Sequence, residues 1–189
     1  MAAKNIQIDL NADIGESYGI YNLGDDEKIV EIITSANIAT GFHAGDPNHM
    51  KRTVDLCEIN DVGIGAHPAY PDKLGFGRRD MNLQTEEISN ILTYQIGSLI
   101  GFTKRKKIQH VKPHGALYNS AAKDERIANA VVDTIMKFDP ELIHVVLAGS
   151  IWEDIAMYKK ARVARECFAD RAVNKDGSLV SRSMPTAVI

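Results

Sequence analysis

Apolar and polar residues along this chain follow two rhythms, a period of two and a period near 3.6, and the two take turns. Over Asn5–Leu10 the period of two puts Ile6, Ile8 and Leu10 on one face and Gln7 and Asp9 on the other, which predicts a first strand. A short helix is expected near Asp25–Ile33 and a second strand near Ser35–Thr40. Asp46-Pro47 reads as an N-cap followed by a proline at the first helical position. The helix it opens runs to about Ile59, with Met50, Val54 and Cys57 on its apolar side. A third strand is expected at Val62–Ala66. Thr85 is placed to cap a long helix with Ile88, Ile91, Leu92, Gln95, Leu99 and Phe102 along one side. His110–Lys112 reads as a fourth strand and His144–Leu147 as a fifth. Between them Asp124 caps a helix that turns Ile127, Ala130, Val131, Ile135 and Phe138 inward. Ser150 and Glu153 form a capping-box pair for a helix ending at Lys159-Lys160. Val163–Phe168 is the sixth strand, and Asp170–Ile189 reads as a polar loop with room for one short strand.

Six strands alternating with helices imply a parallel α/β sheet in one domain. A closed barrel and an open doubly wound sheet both fit the pattern. The segment NADIGESYG after the first strand lacks the Gly-x-Gly-x-x-Gly fingerprint that would favour the open sheet.

Composition narrows the function classes. Hydrophobic residues at 44% and charged residues at 25% suit a soluble globular domain. A net charge of −3 gives no field for nucleic acid. The one dense basic run, Lys104-Arg105-Lys106-Lys107, reads as a solvated helix C-terminus. Cys57 and Cys167 form no Cys-x-x-Cys pair and are expected to be small buried hydrophobes. The N-terminal segment has acids and no apolar stretch of signal-peptide type, and no run approaches the ~18 apolar residues of a membrane span. A cytoplasmic protein without membrane contact is the expectation.

Ionisable residues gather at the C-terminal ends of the predicted strands. Asn11, Asp13 and Glu16 follow the first, His43 and Asp46 the second, and His67 the third. Lys112 and His114 follow the fourth, and Asp170 and Arg171 the sixth. Parallel α/β folds build their sites at this end, where the βα loops converge. Three histidines on three separate loops, with Asp13, suit acid–base work near neutral pH, or a divalent metal with water as nucleophile. Asp46 is accounted for as a helix cap, and His49, His110 and His144 read as structural. Arg78 and Arg79 follow Gly75-Phe76-Gly77 and suit an anionic group. There is no Gly-x-Ser-x-Gly elbow and no P-loop, so the residues themselves show no serine nucleophile and no ATP site.

At these residues the chain resembles a known family. DLNADIGE (9–16), TSANIATGFHAGDP (34–47), GIGAHPAYPD (63–72), GFGRRDM (75–81), HVKPHGALY (110–118), LAGS (147–150) and FADRA (168–172) resemble the lactam-utilisation LamB/YcsF family, in order and over nearly the whole chain. The resemblance implies a distorted (β/α) barrel of the glycoside hydrolase/deacetylase type. It implies the A subunit of a 5-oxoprolinase, which converts 5-oxo-L-proline, ATP and water to L-glutamate, ADP and phosphate together with subunits B and C. Under it, Asp13, His43, His67, His114 and Lys112 are the catalytic candidates. Asn11, Glu16, Arg78, Arg79, Tyr118, Asp170 and Arg171 are the substrate-binding candidates. Asp13, His43 and His67 are placed to imitate the Asp-His-His metal site of the deacetylases, although here the histidines lie on separate loops. Family members continue for several dozen residues past SRSMPTAVI with a last strand and a closing helix. The expectation is therefore a single domain over 1–189 that lacks that strand and helix. A stand-alone metal-dependent amidohydrolase or deacetylase, a non-catalytic lactam-binding protein, and a homo-oligomer all stay open.

Overall fold

The computed structural model describes residues 8–175, 177–182 and 184–189. Its elements run β1 (Asn11–Ile14), α1 (Asp26–Ile29), β2 (Ser35–Ala39), α2 (Pro47–Ile59), β3 (Gly63–His67) and α3 (Thr85–Phe102). They continue with β4 (His110–Val111), α4 (Gly115–Ala121), α5 (Glu125–Phe138), β5 (Ile143–Leu147), α6 (Ile151–Tyr158) and β6 (Arg162–Glu166). All strand pairs are parallel and the sheet order is β1-β2-β3-β4-β5-β6. Strands that pair strictly in chain order give the winding of a barrel, because a doubly wound sheet reverses direction part-way.

One side chain shows that the sheet curls. Laid flat, β1 and β6 would stand about 24 Å apart at ~4.8 Å per strand. Yet Lys112, just past β4, reaches Asp13 of β1 with its Nζ at 3.3 Å and Glu166 of β6 at 2.6 Å. The six strands therefore form a curled half-barrel with a shared interior.

The pleat sorts residues between that interior and the helices. Asn11 and Asp13, Ser35 and Asn37, His67, His110 and Lys112, and Glu166 share the concave face, as the hydrogen bonds and ion pairs among them require. The alternate residues Ile14, Ala36, Ile38, Ala66, Val111 and Val146 are buried in the apolar core. Val54, Cys57, Leu92, Ile96, Val131, Ile135 and Trp152 complete that core from the helices.

Several expectations shift. The first strand is Asn11–Ile14, not Asn5–Leu10. Ile8 is 85% exposed and Leu10 51%, so these apolar residues face solvent, while Asn5, Ile6 and Gln7 lie outside the described residues. Alternation points one strand length too early, because the strand's inward positions are polar. The first helix is a single turn. The cap of α3 is Gln84, whose backbone N–H donates to Glu87 at 2.8 Å, so Thr85 is already inside the helix. Helix α4 has no counterpart among the expected elements. Cys167 is exposed, since β6 ends one residue before it, whereas Cys57 is buried. The caps at Asp46 and Asp124 form as expected, and Ser150 caps α6 by accepting from the Glu153 N–H, but the Glu153 carboxylate takes the N–H of Gly149 at 2.7 Å instead of closing the box on Ser150. The 104–107 run is exposed just past α3. No helix among the described residues is long and apolar enough to cross a membrane.

Candidate active site

The floor of the site is a polar relay across three strands. His110 Nε2 and Asn37 Oδ1 are 2.8 Å apart, and Asn37 Nδ2 donates to Asp13 Oδ1 at 2.8 Å. Asn11 closes the relay from below: its amide donates to Ser35 Oγ at 2.7 Å and exchanges hydrogen bonds with Asn37. His110 can lie across the barrel only because β3 carries glycine at its neighbour. A Cβ on Gly65 would fall inside the His110 imidazole. Burial pushes His110 down to about 4, so this ring is neutral at physiological pH.

Above the floor stand three imidazoles. His67 Nδ1 lies 2.6 Å from the Lys112 carbonyl and His114 Nε2 lies 2.9 Å from the Phe76 carbonyl. A carbonyl only accepts, so both nitrogens carry their proton there. The remaining nitrogens, His67 Nε2 and His114 Nδ1, then face each other 2.9 Å apart with a lone pair each. Two facing lone pairs repel unless a proton or a cation lies between them. Asp13 Oδ2 sits 3.3 Å from the same His67 Nε2. His43 stacks flat on His114 with ring centroids 3.9 Å apart. Its Nε2 is 3.2 Å from Glu16 Oε1, and its buried Nδ1 has no hydrogen-bond partner.

Local backbone chemistry holds these rings. Gly77 and Gly115 adopt positive φ angles of +65° and +56°, and Ala116 N–H donates to the Gly77 carbonyl at 2.8 Å. A Cβ on Gly77 would come within 2.8 Å of both His43 and His114. Phe76 is a non-glycine residue at φ 53°, and its strained peptide presents the carbonyl that fixes the His114 tautomer.

Charge is concentrated beside the imidazoles, around Lys112. Lys112 Nζ is clamped between Asp13 and Glu166, and Tyr118 OH donates to the other oxygen of Glu166 at 3.0 Å. Burial works against the lysine's charge, but Asp13 and Glu166 outweigh it and raise the ammonium above its usual range. Burial likewise opposes ionisation of Asp13, yet the charges of His67 and Lys112 hold it well below the carboxylate range. Burial lifts Glu16 and depresses His43, and it takes His114 down to about 2, helped by the charges of His67 and His43. The site therefore combines a fixed carboxylate, a fixed ammonium and two imidazoles, His43 and His114, on which a proton is disfavoured. Asp13, His67, Lys112, His114 and Tyr118 line one cavity of about 460 Å³.

Comparison with known proteins places this arrangement. The model of the LamB/YcsF family matches residues 8–189. The chain belongs to the LamB/YcsF family. Within it, the 5-oxoprolinase A subunit of Pyrococcus furiosus is 55% identical over 186 residues, 97% of this chain and 73% of that protein. The protein of the same name from Campylobacter jejuni is 51% identical over 185 residues, 97% and 72% of the two chains. The crystal structure of a lactam utilization protein from Thermus thermophilus superposes with a TM-score of 0.91 at 45% identity, covering 97% of this chain and 75% of that one. A structure from Enterococcus faecalis at 18% identity, with a TM-score of 0.57 over 82% of this chain and 65% of that one, shares the fold alone.

In this LamB/YcsF chain the five catalytic candidates Asp13, His43, His67, Lys112 and His114 stand together. Asp13 and His67 sit within strands rather than after them. Of the substrate-binding candidates, Arg78, Tyr118 and Arg171 line the cavity and Glu16 stands beside His43. Glu16 does not line the cavity itself, and neither do the other three. Asn11 lies beneath Asp13 as a support. Arg79 turns outward to pair with Asp72, its side chain 64% exposed. Asp170 is exposed and acts on Arg171 only through space. Among the described residues, the group able to hold a metal is Glu16, His43, His67 and His114, one donor atom of each within 4.8 Å of the others, and Asp13 is outside it. Sequence reasoning misses Asn37, Glu166 and Arg182. Glu166 is legible as the inward partner of Arg162 and Ala164 in a period of two, and Asn37 as the one amide in the buried strand SANIA.

Proposed function

We propose that this chain opens the ring of 5-oxo-L-proline, giving L-glutamate, as the A subunit of an ATP-dependent 5-oxoprolinase that also contains subunits B and C. The observation that carries the reading is the union of Asp13, His67, His114 and Lys112 in one cavity, in a chain more than half identical to proteins of that name. A five-membered lactam is an unstrained amide with a poor leaving group. Phosphorylating its oxygen makes an imidate that water can attack.

The residues divide that work. The facing nitrogens of His67 and His114 are short of one proton, so the pair takes the proton of the attacking water. Asp13, pinned by Asn37 and Lys112, stabilises the charge that results on His67. Lys112, held between Asp13 and Glu166, offers an N–H donor to the oxygen on the reacting carbon. The ring C–N bond breaks and the nitrogen takes the proton held by the imidazoles, which leaves an acyl phosphate; a second water cleaves that bond and releases the carboxylate and phosphate.

Glu16, His43, His67 and His114 also fit a divalent cation. They offer one carboxylate and three imidazoles, with two tautomers fixed by backbone carbonyls and an orphaned nitrogen on His43. Bound there, a cation would supply Lewis-acid polarisation of the carbonyl. This cluster favours a second reading, a stand-alone metal-dependent amidohydrolase. Glutamate release measured with and without ATP, with and without subunits B and C, separates the two. Under the leading reading only the complete ATP-containing mixture releases glutamate. Lactam opening by the isolated chain with metal and no ATP would replace it with the second.

A further inference from the structure

Five cationic side chains line the cavity, Arg78, Lys112, Lys123, Arg171 and Arg182, against two carboxylates, Asp13 and Asp80. Lys112 is already neutralised by Asp13 and Glu166. The three arginines are not: among the described residues no carboxylate forms an ion pair with any of them. They converge from separate segments, Arg78 from the loop after β3 and the other two from the segment after β6. Arg78 lies over the Phe76 ring at 5.1 Å. The Arg171 guanidinium is held by the carbonyls of Ala187 at 3.1 Å and Val180 at 2.7 Å. Burial and then the neighbouring Arg182 depress both Arg78 and Arg171. Like charges gathered and held in one cavity raise the free energy of the empty site, and an anion relieves that repulsion.

We propose that Arg78, Arg171 and Arg182 form a subsite for a tetrahedral dianion of the phosphoryl class, facing the Asp13–His67–Lys112 wall of the same cavity. Planar guanidiniums bind such oxyanions through paired N–H donors. Three of them exceed what one carboxylate neutralises, which selects the dianion. The proposal rests on the lactam-hydrolase reading and deepens it by giving the phosphoryl group a place, either carried on the substrate or released as phosphate.

The test is calorimetric titration of the purified chain with inorganic phosphate and, separately, with acetate. The expected result is phosphate binding at least about tenfold tighter than acetate, a difference of about 1.4 kcal/mol. Arg182→Met should weaken phosphate by about tenfold or more, and Lys107→Met in the exposed run should not. Arg171→Met also loosens the tail, so Arg182→Met, which breaks no hydrogen bond among the described residues, carries the comparison. Equal affinity for phosphate and acetate, or phosphate binding indifferent to Arg182→Met, overturns the subsite. If phosphate inhibits lactam opening by the complex competitively with the lactam, the phosphoryl group is the substrate's own. Non-competitive inhibition assigns the subsite to released phosphate. Binding is read without turnover, so a chain that binds phosphate but opens no lactam keeps the subsite and loses the lactam reading. The reverse result keeps the activity and removes the subsite.

Discussion

Gly65→Ala adds one methyl group to β3 at a place the relay beneath Asp13 has already filled. The new Cβ would occupy the His110 imidazole, which is buried and bonded to Asn37. The ring must swing away, and Asn37 Oδ1 then loses a partner. Overpacking a core of this kind costs about 1–3 kcal/mol, and losing the His110 hydrogen bond about 0.5–1.5 kcal/mol more, because Asn11 Nδ2 still reaches the same oxygen at 3.3 Å. The variant should therefore lose about 1.5–4.5 kcal/mol, read by urea unfolding of the purified chain. Asn37 also positions Asp13, and displacing a reacting group by about 1 Å costs on the order of 100-fold in rate. The reasoning is specific enough for a double-mutant cycle. In a His110→Ala background the imidazole is gone, so the added methyl finds room. Gly65→Ala should then cost only a few tenths of a kcal/mol, a coupling of about 1–4 kcal/mol between the two positions. An equal loss in both backgrounds would mean that Gly65 matters for some reason other than the His110 ring.

Other perturbations give equally definite outcomes. Lys112→Met strands two carboxylates and should cost about 3–5 kcal/mol, whereas Glu166→Gln leaves the Lys112–Asp13 pair and the Tyr118 contact and should cost clearly less; thermal melting compares them. His144 is buried with both ring nitrogens unpartnered, and burial lowers it to about 4. Its folded value lies below the unfolded ~6.5, so the unfolded chain takes up protons first and stability falls as pH drops from about 6.5 towards 4. His144→Leu should remove about 2–3 kcal/mol of the stability difference between about pH 7 and pH 4.5, measured by urea midpoints at each pH; an unchanged pH profile would show the ring to be satisfied. Divalent-cation binding, read by elemental analysis and titration of the chain stripped with chelator, should drop by at least about tenfold in His114→Ala and stay intact in Arg79→Ala.

Most of the architecture is readable from periodicity, and the failures share one cause. β2, α2, α5 and α6 carry apolar residues on one face or a recognisable cap, so their positions follow directly. β1 is misplaced because its inward residues are Asn11 and Asp13, and a strand lining a polar interior does not look like a strand. The same inversion hides Asn37 and Glu166, which read as interruptions of apolar runs until the curl of the sheet brings them beside Asp13 and Lys112. The histidines at strand ends are legible one by one. Their tautomers are not, because the Phe76 and Lys112 carbonyls that set them come from other loops. Arg79 and Asp170 mislead for the opposite reason: adjacency to a site residue along the chain does not fix the direction of a side chain, and Asp72 captures the first while solvent takes the second.

The most direct test is the rate of glutamate release by the reconstituted three-component complex carrying Asp13→Asn. Asparagine keeps the shape and the Asn37 contact but removes the negative charge that faces His67 and Lys112. Turnover reduced by at least about 10³-fold with an intact fold by circular dichroism is the predicted result. A complex that opens the lactam at the parental rate would mean that the chemistry happens somewhere other than this imidazole cluster.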